Sequence, residues 1–201
     1  ELDFLKQDVP ALMRESKEGI TRVRKIVQDL KDFSHVDATL EWQFIDLTSC
    51  IDSTINIIHN EVKYQAEVVR EYLPTPAVQC HASELNQVIM NLVVNAAQAL
   101  VGPGGMITIK TGTEGDNVWF EVSDNGSGID SKNLERIFDP FFTTKPIGKG
   151  TGLGLSISYG IVRKHHGELK VQSEVGKGSR FRVTLPRVQP EPSIAAKSEL
   201  P

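Results

Sequence analysis

The stretch Asn86-Gln87-Val88-Ile89-Met90-Asn91-Leu92-Val93-Val94-Asn95-Ala96-Ala97-Gln98-Ala99-Leu100 decides how this chain is read. It predicts a helix over Ser83–Leu100, with Ser83 as the N-cap and the Gly102-Pro103-Gly104-Gly105 cluster ending it. Asn91 and Asn95 are four residues apart, so both amides share one helix face. Amides set among Ile89, Met90, Leu92, Val93, Val94, Ala96 and Ala97 are poor choices for a sealed apolar core. An amide carbonyl is a hard oxygen donor of the kind Mg²⁺ accepts. That ion keeps several waters and draws ligands from phosphates, so one protein ligand can suffice. A capping or core hydrogen-bonding role for the pair is the plainer alternative.

C-terminal to this helix, Met106–Thr113 and Asn117–Asp124 predict a hairpin around Glu114-Gly115-Asp116. Asp124-Asn125-Gly126-Ser127-Gly128-Ile129 stands at the end of its second strand. A carboxylate only accepts hydrogen bonds, which suits the exocyclic amino group of adenine. Gly126 and Gly128 would let the backbone approach a flat ligand, although an ordinary turn would use the same residues. Further on, Gly148-Lys149-Gly150-Thr151-Gly152-Leu153-Gly154-Leu155 opens another helix, predicted to run to His166 with Gly167 as its C′ residue. Backbone amides, a helix N-terminus and Lys149 together make an anion cradle, and a merely flexible loop is the alternative. It is neither a Walker loop, because Gly150 follows Lys149, nor a Rossmann fingerprint, because the glycine spacing fails and no βαβ unit surrounds it. Between these motifs lies Phe138-Asp139-Pro140-Phe141-Phe142-Thr143-Thr144-Lys145. Three phenylalanines so close suggest a segment that docks, a mobile lid over phosphates with Lys145 in reach of them. Leu169–Ser173 and Arg180–Leu185 complete the domain as strands.

On the N-terminal side, Glu41–Asp46 and Val68–Tyr72 read as strands around a helical stretch from Thr48 to Glu61, and Val78–Cys80 as a short extended piece. Before them, Gln7–Phe33 predicts one long helix. Met13, Ile20, Val23, Val27 and Leu30 follow a 3-4 spacing, with charged residues opposite. That stripe must be buried, either on the chain's own domain or in a helical bundle. The expected organisation is a helical segment over 1–36, an α/β domain over 37–186 and a disordered proline-containing tail over 187–201.

Composition excludes little but is consistent. A net charge of −4 provides no basic field, so nucleic acid is not an expected partner. Cys50 and Cys80 stand thirty residues apart without a second pair, which argues against zinc and for a reduced, intracellular setting. No apolar run approaches the ~18 residues of a membrane span, and no signal peptide is visible. The chain starts at Glu1 and not at Met, so it is expected to be a piece of a longer protein, whose membrane attachment is left open.

An asparagine helix, a strand-borne aspartate with glycines, an aromatic segment and a glycine-rich loop, in that order, resemble the GHKL ATP-binding (Bergerat) fold. More closely, they resemble the sensor histidine kinases of bacterial two-component systems, with their N box, F box and glycine boxes. The resemblance spans Glu41 to Pro186 and implies a two-layer α/β sandwich preceded by one long bundle helix. By the resemblance, Asp124 holds adenine with Ser179 assisting through water, and Gly126, Gly128 and Ile129 line the base. Asn95 ligates Mg²⁺ and Asn91 supports the phosphate side. Lys145, Lys149, Gly150, Thr151, Gly152, Leu153, Gly154 and Leu155 wrap the phosphates, and Gly176–Phe181 resembles the family's last glycine turn. Hydrolysing relatives such as gyrase and MutL carry a water-activating glutamate where this chain has Asn91. Glu18–His35 resembles the second helix of the dimerisation and phosphotransfer hairpin. None of His35, His59, His81, His165 or His166 has the context of a phosphoacceptor, so no catalytic residue is expected in this chain. The resemblance thus implies ATP and Mg²⁺ as cofactors, a response-regulator receiver domain and a second copy as partners, and a cytoplasmic location. A GHKL-type ATPase or a non-catalytic nucleotide-binding module are the alternatives.

Overall fold

The computed structural model describes residues 41–146 and 150–190, together with residues 9, 10, 12–14, 16, 17, 19, 20, 23, 24 and 27. The latter group is helical, in keeping with the start of the long helix. The rest of that helix, the boundary at 35–40, Lys149 and the tail from 191 onward lie outside the described residues.

Seven strands and three helices form the α/β part: β1 (Gln43–Ile45), α1 (Leu47–Val62), β2 (Glu67–Tyr72), β3 (Val78–Cys80), α2 (Ala82–Ala99), β4 (Met106–Glu114), β5 (Asn117–Asp124), α3 (Gly154–Lys164), β6 (Glu168–Glu174) and β7 (Gly178–Pro186). Five strands make one sheet in the order β2-β4-β5-β7-β6, with β2 and β4 parallel and the other neighbours antiparallel. β1 and β3 pair separately.

Period-2 alternation along the hairpin sends Ile107, Ile109, Val118, Phe120 and Val122 to one face, where they are buried. Phe181, Val183 and Leu185 of β7 extend that face. The helices cover it. Leu85, Val88, Ile89, Leu92, Val93, Ala96 and Ala97 of α2 repeat at three- and four-residue steps and are all buried. Ile51, Ile55, Ile58 and Val62 do the same for α1. The opposite sheet face is polar. Glu71, Lys110, Glu121, Arg182 and Lys170 stand side by side across all five strands in near-alternating charge. Trp119 lies over its cross-strand partner Gly112 and under the guanidinium of Arg182, 4.1 Å from its ring centre. The aromatic ring thus covers backbone that the glycine cannot.

Three local expectations are corrected. The N-cap of α2 is His81, not Ser83, and no side chain caps it. The His81 N–H donates to Nε2 of His165, 3.0 Å away, a tertiary contact that fixes the chain where it enters the helix. At the end of α3 the left-handed residue is His166 (φ 54), not Gly167. His166 N–H bonds Arg163 O and Gly167 N–H bonds Val162 O, which completes a Schellman turn one residue earlier than expected. Gly167 is required for space, since a Cβ there would meet Thr184 O at 2.5 Å. The tail is not free at its start either: Gln79 N–H bonds Arg187 O, and Gln189 donates two hydrogen bonds to Gln79.

His165 anchors the end of the sandwich where α2 begins and α3 finishes. It is buried, donates from Nδ1 to Ile161 O and accepts at Nε2, so it is held as the neutral ring. Glu84 (3.9 Å) and Lys164 are the charged groups nearest it, with His81 and Trp42 packed on its ring. Burial is the main cause that lowers its pKa, with the nearby Glu84 carboxylate opposing. The folded state therefore binds fewer protons than the unfolded chain. The stability involved is present above the ordinary histidine pKa of about 6.5 and is lost as pH falls below it. Urea denaturation from pH 8 to pH 5 is expected to show this loss, and His165→Gln should flatten it. A pH dependence identical to that of the parent would remove His165 as its source.

Candidate functional site

The motif residues meet at the other end of α2 and α3. Asn91 and Asn95 sit half-buried at the edge of the apolar stripe of α2. The Asn91 amide donates from Nδ2 to Gly154 O (3.1 Å) and to Ser158 Oγ (3.3 Å), both on α3. Asn91 therefore ties the asparagine helix to the helix that the glycine loop opens. A group whose N–H donors are committed in this way offers no base.

α3 starts with Leu153 at its N-cap, and no side chain caps it. Thr151 Oγ1 accepts from Leu153 N–H at 3.4 Å, a long contact. The first amides of the helix, with the positive end of its dipole, are what an anion would meet. Gly152 (φ 70) packs on the backbone of Phe141 and Phe142, and Phe141 N–H donates to Gly152 O at 3.0 Å. The aromatic segment and the glycine loop are thus fastened together. Phe138 stacks on Tyr159 of α3, and Phe142 lies under Arg136, so two of the three phenylalanines dock as expected while Phe141 is exposed.

Asp124 closes β5, half-buried. Its Oδ1 accepts from Gly126 N–H (2.9 Å) and Ser179 N–H (3.3 Å). Both bonds end on one oxygen, so Oδ2 keeps its lone pairs for another donor. Burial raises the Asp124 pKa, and the two amide donors oppose it. Ser179 N–H donates to Asp124 Oδ1, and its hydroxyl lies 2.9 Å from Ser173 Oγ. The flanking glycines lie against the chain's own backbone. A Cβ on Gly126 would strike Ala99 O, one on Gly128 (φ 69) would strike Glu174 O, and one on Gly178 (φ 104) would strike Asp124 O. These glycines let the chain pack on itself, and that packing presents the carboxylate. Ser173 completes the frame by accepting from Ile129 N–H (2.8 Å) and donating to Gly178 O (3.0 Å).

Asn95 faces a cation. The ammonium of Lys145 donates to Asn95 Oδ1 at 3.0 Å and also to Gln98 Oε1. A positive charge already seated on this carbonyl shows that Asn95 presents an oxygen where Mg²⁺ could take it, so the donor fits such an ion. Among the described residues there is no cluster of three His, Cys, Asp or Glu that could hold a metal. Any metal here would draw its other ligands from phosphate and water. The structure thus brings Asn91, Asn95, Lys145, Gly150–Leu155 and the Asp124 loop to one end of the sandwich; Lys149 lies outside the described residues. Sequence reading passed over Gln98 and Ser173. Gln98 was detectable as an amide three residues beyond Asn95 on the same face, whereas Ser173 carries no sequence signal.

Both cysteines are free, and burial pushes their thiols up to about 11 for Cys50 and about 12 for Cys80, so both stay protonated and unreactive at neutral pH. No helix among the described residues is long and apolar enough to cross a membrane.

An acceptor carboxylate at a strand end, a helix N-terminus with no side-chain cap and a carbonyl oxygen seated on a cation, gathered at one end of a helix-covered mixed sheet, suit a ligand that carries hydrogen-bond donors and phosphates. The chain belongs to the family of histidine kinase-, DNA gyrase B- and HSP90-like ATPases, whose profile matches residues 80–189. That membership makes it an ATP-binding domain. It is 37% identical over 191 residues to the sensor kinase CckA of Brucella abortus (strain 2308), which covers 86% of this chain and 20% of the relative. It is similar to the catalytic domain of histidine kinase ThkA, with TM-score 0.66, 28% identity and coverage of 74% of this chain and 97% of that one. ThkA in complex with the response regulator protein TrrA also matches, at TM-score 0.71 and 25% identity, over 93% of this chain and 52% of that one. The chain spans between 20% and 36% of the length of the first curated relatives it matches.

Proposed function

We propose that this domain is the catalytic part of a sensor histidine kinase and transfers the γ-phosphate of Mg-ATP to a histidine on a helical dimerisation domain, for relay to a response-regulator aspartate. Asn91 carries the reading. Hydrolysing members of the family place a glutamate there, whereas here an amide spends its donors on Gly154 and Ser158 and cannot activate water. Asp124 Oδ2 would take the adenine amino group, the start of α3 and Gly150–Leu155 would hold the phosphates, and Asn95 would take Mg²⁺ between them. The metal neutralises charge on the phosphates when bound. Asn91 keeps the two helices in register so that these parts face one cleft.

The helical residues before the domain support a dimer. Leu12, Met13, Ile20, Val23 and Val27 are exposed on the chain by itself, so a second copy is what would bury them. The similarity to ThkA, solved with TrrA, supports a receiver domain as the second partner. The division into a helical segment over 1–36 and a catalytic domain over 37–186, and a cytoplasmic setting, belong to the same proposal.

The 201-residue chain is expected to bind Mg-ATP without labelling itself. His81 and His165 are buried and out of reach of a phosphate, and the other three histidines lack an acceptor's context. Incubation with γ-labelled ATP, followed by acid and alkali treatment, tests this. Stoichiometric label that survives alkali but not acid would place an acceptor within these residues. Rapid phosphate release without any phosphoprotein would instead favour an ATPase.

A further inference from the structure

The pairing of Lys145 with Asn95 and Gln98 has a consequence for how a metal arrives. α2 has no basic residue in its last turn, although the negative end of its dipole favours a cation there. Lys145 supplies that charge from another part of the chain. Its backbone N–H is held by Thr143 Oγ1 at 3.1 Å, and its stem lies against Gly150, where a Cβ would meet Lys145 Cδ at 3.2 Å. The ammonium therefore has two amide carbonyls, Asn95 Oδ1 and Gln98 Oε1, three residues apart on one face.

We infer that Lys145 and the divalent ion compete for the Asn95 carbonyl, with Gln98 holding only Lys145, so that a magnesium-nucleotide binds by exchange. The inference rests on the proposed role of Asn95 toward Mg²⁺. A magnesium ion about 2.1 Å from Asn95 Oδ1 would stand within roughly 5 Å of an ammonium on the same oxygen, close enough for strong repulsion in a half-buried cleft. The ammonium leaves the carbonyls, and its charge becomes available to the phosphates beside Gly150. Gln98 is then a positioning residue. It sets how firmly Lys145 is held and hence how much magnesium is needed to release it.

Gln98 is exposed, so Gln98→Leu removes one acceptor of the ammonium without disturbing the core. The measurement is calorimetric titration of the whole chain with a non-hydrolysable ATP analogue at a series of magnesium concentrations. Gln98→Leu is expected to lower the half-saturating magnesium concentration roughly three- to tenfold, the net range for one hydrogen bond at an exposed side chain. Hydrogen exchange of the peptide containing Lys145, measured without nucleotide, should also quicken in this variant. Asn95→Ala is the control on the metal itself and should abolish most of the affinity that magnesium adds. If Asn95→Ala behaves so while Gln98→Leu leaves the magnesium requirement unchanged or raises it, the exchange is wrong and the metal reading stands. If Asn95→Ala leaves the magnesium dependence intact, the metal reading falls, and the exchange with it.

Discussion

Replacing Asp124 by alanine is expected to lower ATP affinity by roughly ten- to a hundredfold. Hydrogen bonds to a charged acceptor contribute about 1.5–3 kcal/mol, and each 1.4 kcal/mol is a factor of ten. The Asp124 carboxylate is fixed by amides from two separate segments, Gly126 after β5 and Ser179 at the start of β7, so its free oxygen points in one direction before any ligand arrives. That preorganisation is why one side chain can carry so much of the selectivity for adenine. Because burial raises the Asp124 pKa, the acceptor should also be lost earlier on acidification than for a surface aspartate. Affinity should fall with pH in the parent and not in Asp124→Asn, which carries no titrating group. Calorimetric titration with ATP and with GTP measures both effects. Unchanged ATP affinity in Asp124→Ala would remove this residue from the site.

Gly178→Ala is expected to cost about 2–6 kcal/mol of stability, from backbone strain and overpacking together. Its φ of 104 is rarely adopted by residues with a side chain, and the new methyl would enter the space of Asp124 O. A domain of marginal stability, about 5–15 kcal/mol in total, would be close to unfolding. Gly176→Ala separates the two causes. Gly176 also has positive φ (78), but nothing lies within 4 Å of a Cβ there, so only the conformational cost of about 1–2 kcal/mol remains. Urea denaturation of both variants reads the difference. Equal losses would mean that the close approach to Asp124 decides nothing.

The elements of the fold were readable because local periodicity matched tertiary burial. α2 and β5 fall where the apolar spacing puts them, since each buries a single stripe or face. Reading failed where a distant partner replaced a local signal. Ser83 is a good N-cap in isolation, yet the helix starts at Ala82 after His81, whose N–H is held by His165, 84 residues away. Gly167 looks like the residue that ends α3, yet it is small because Thr184 and Leu185 lie against it, and His166 takes the left-handed turn. The tail after Pro186 looks free of structure, yet Gln79 holds its first residues through side-chain amides that leave no pattern in sequence.

Residue types alone determined which chemistry is present: amides on one face of a helix, an acceptor carboxylate at a strand end and a run of glycines before a helix. Such groups depend on short-range spacing, and 3.6-residue geometry places them without knowledge of the rest. Only the tertiary structure decided what each one touches. It packed the glycines around Asp124 on neighbouring backbone, set the Ser179 N–H on Asp124, committed Asn91 to α3, and set Lys145 on Asn95 and Gln98. Those contacts join residues up to 67 positions apart, as with Asn91 and Ser158, and are made only when the fold brings distant segments together.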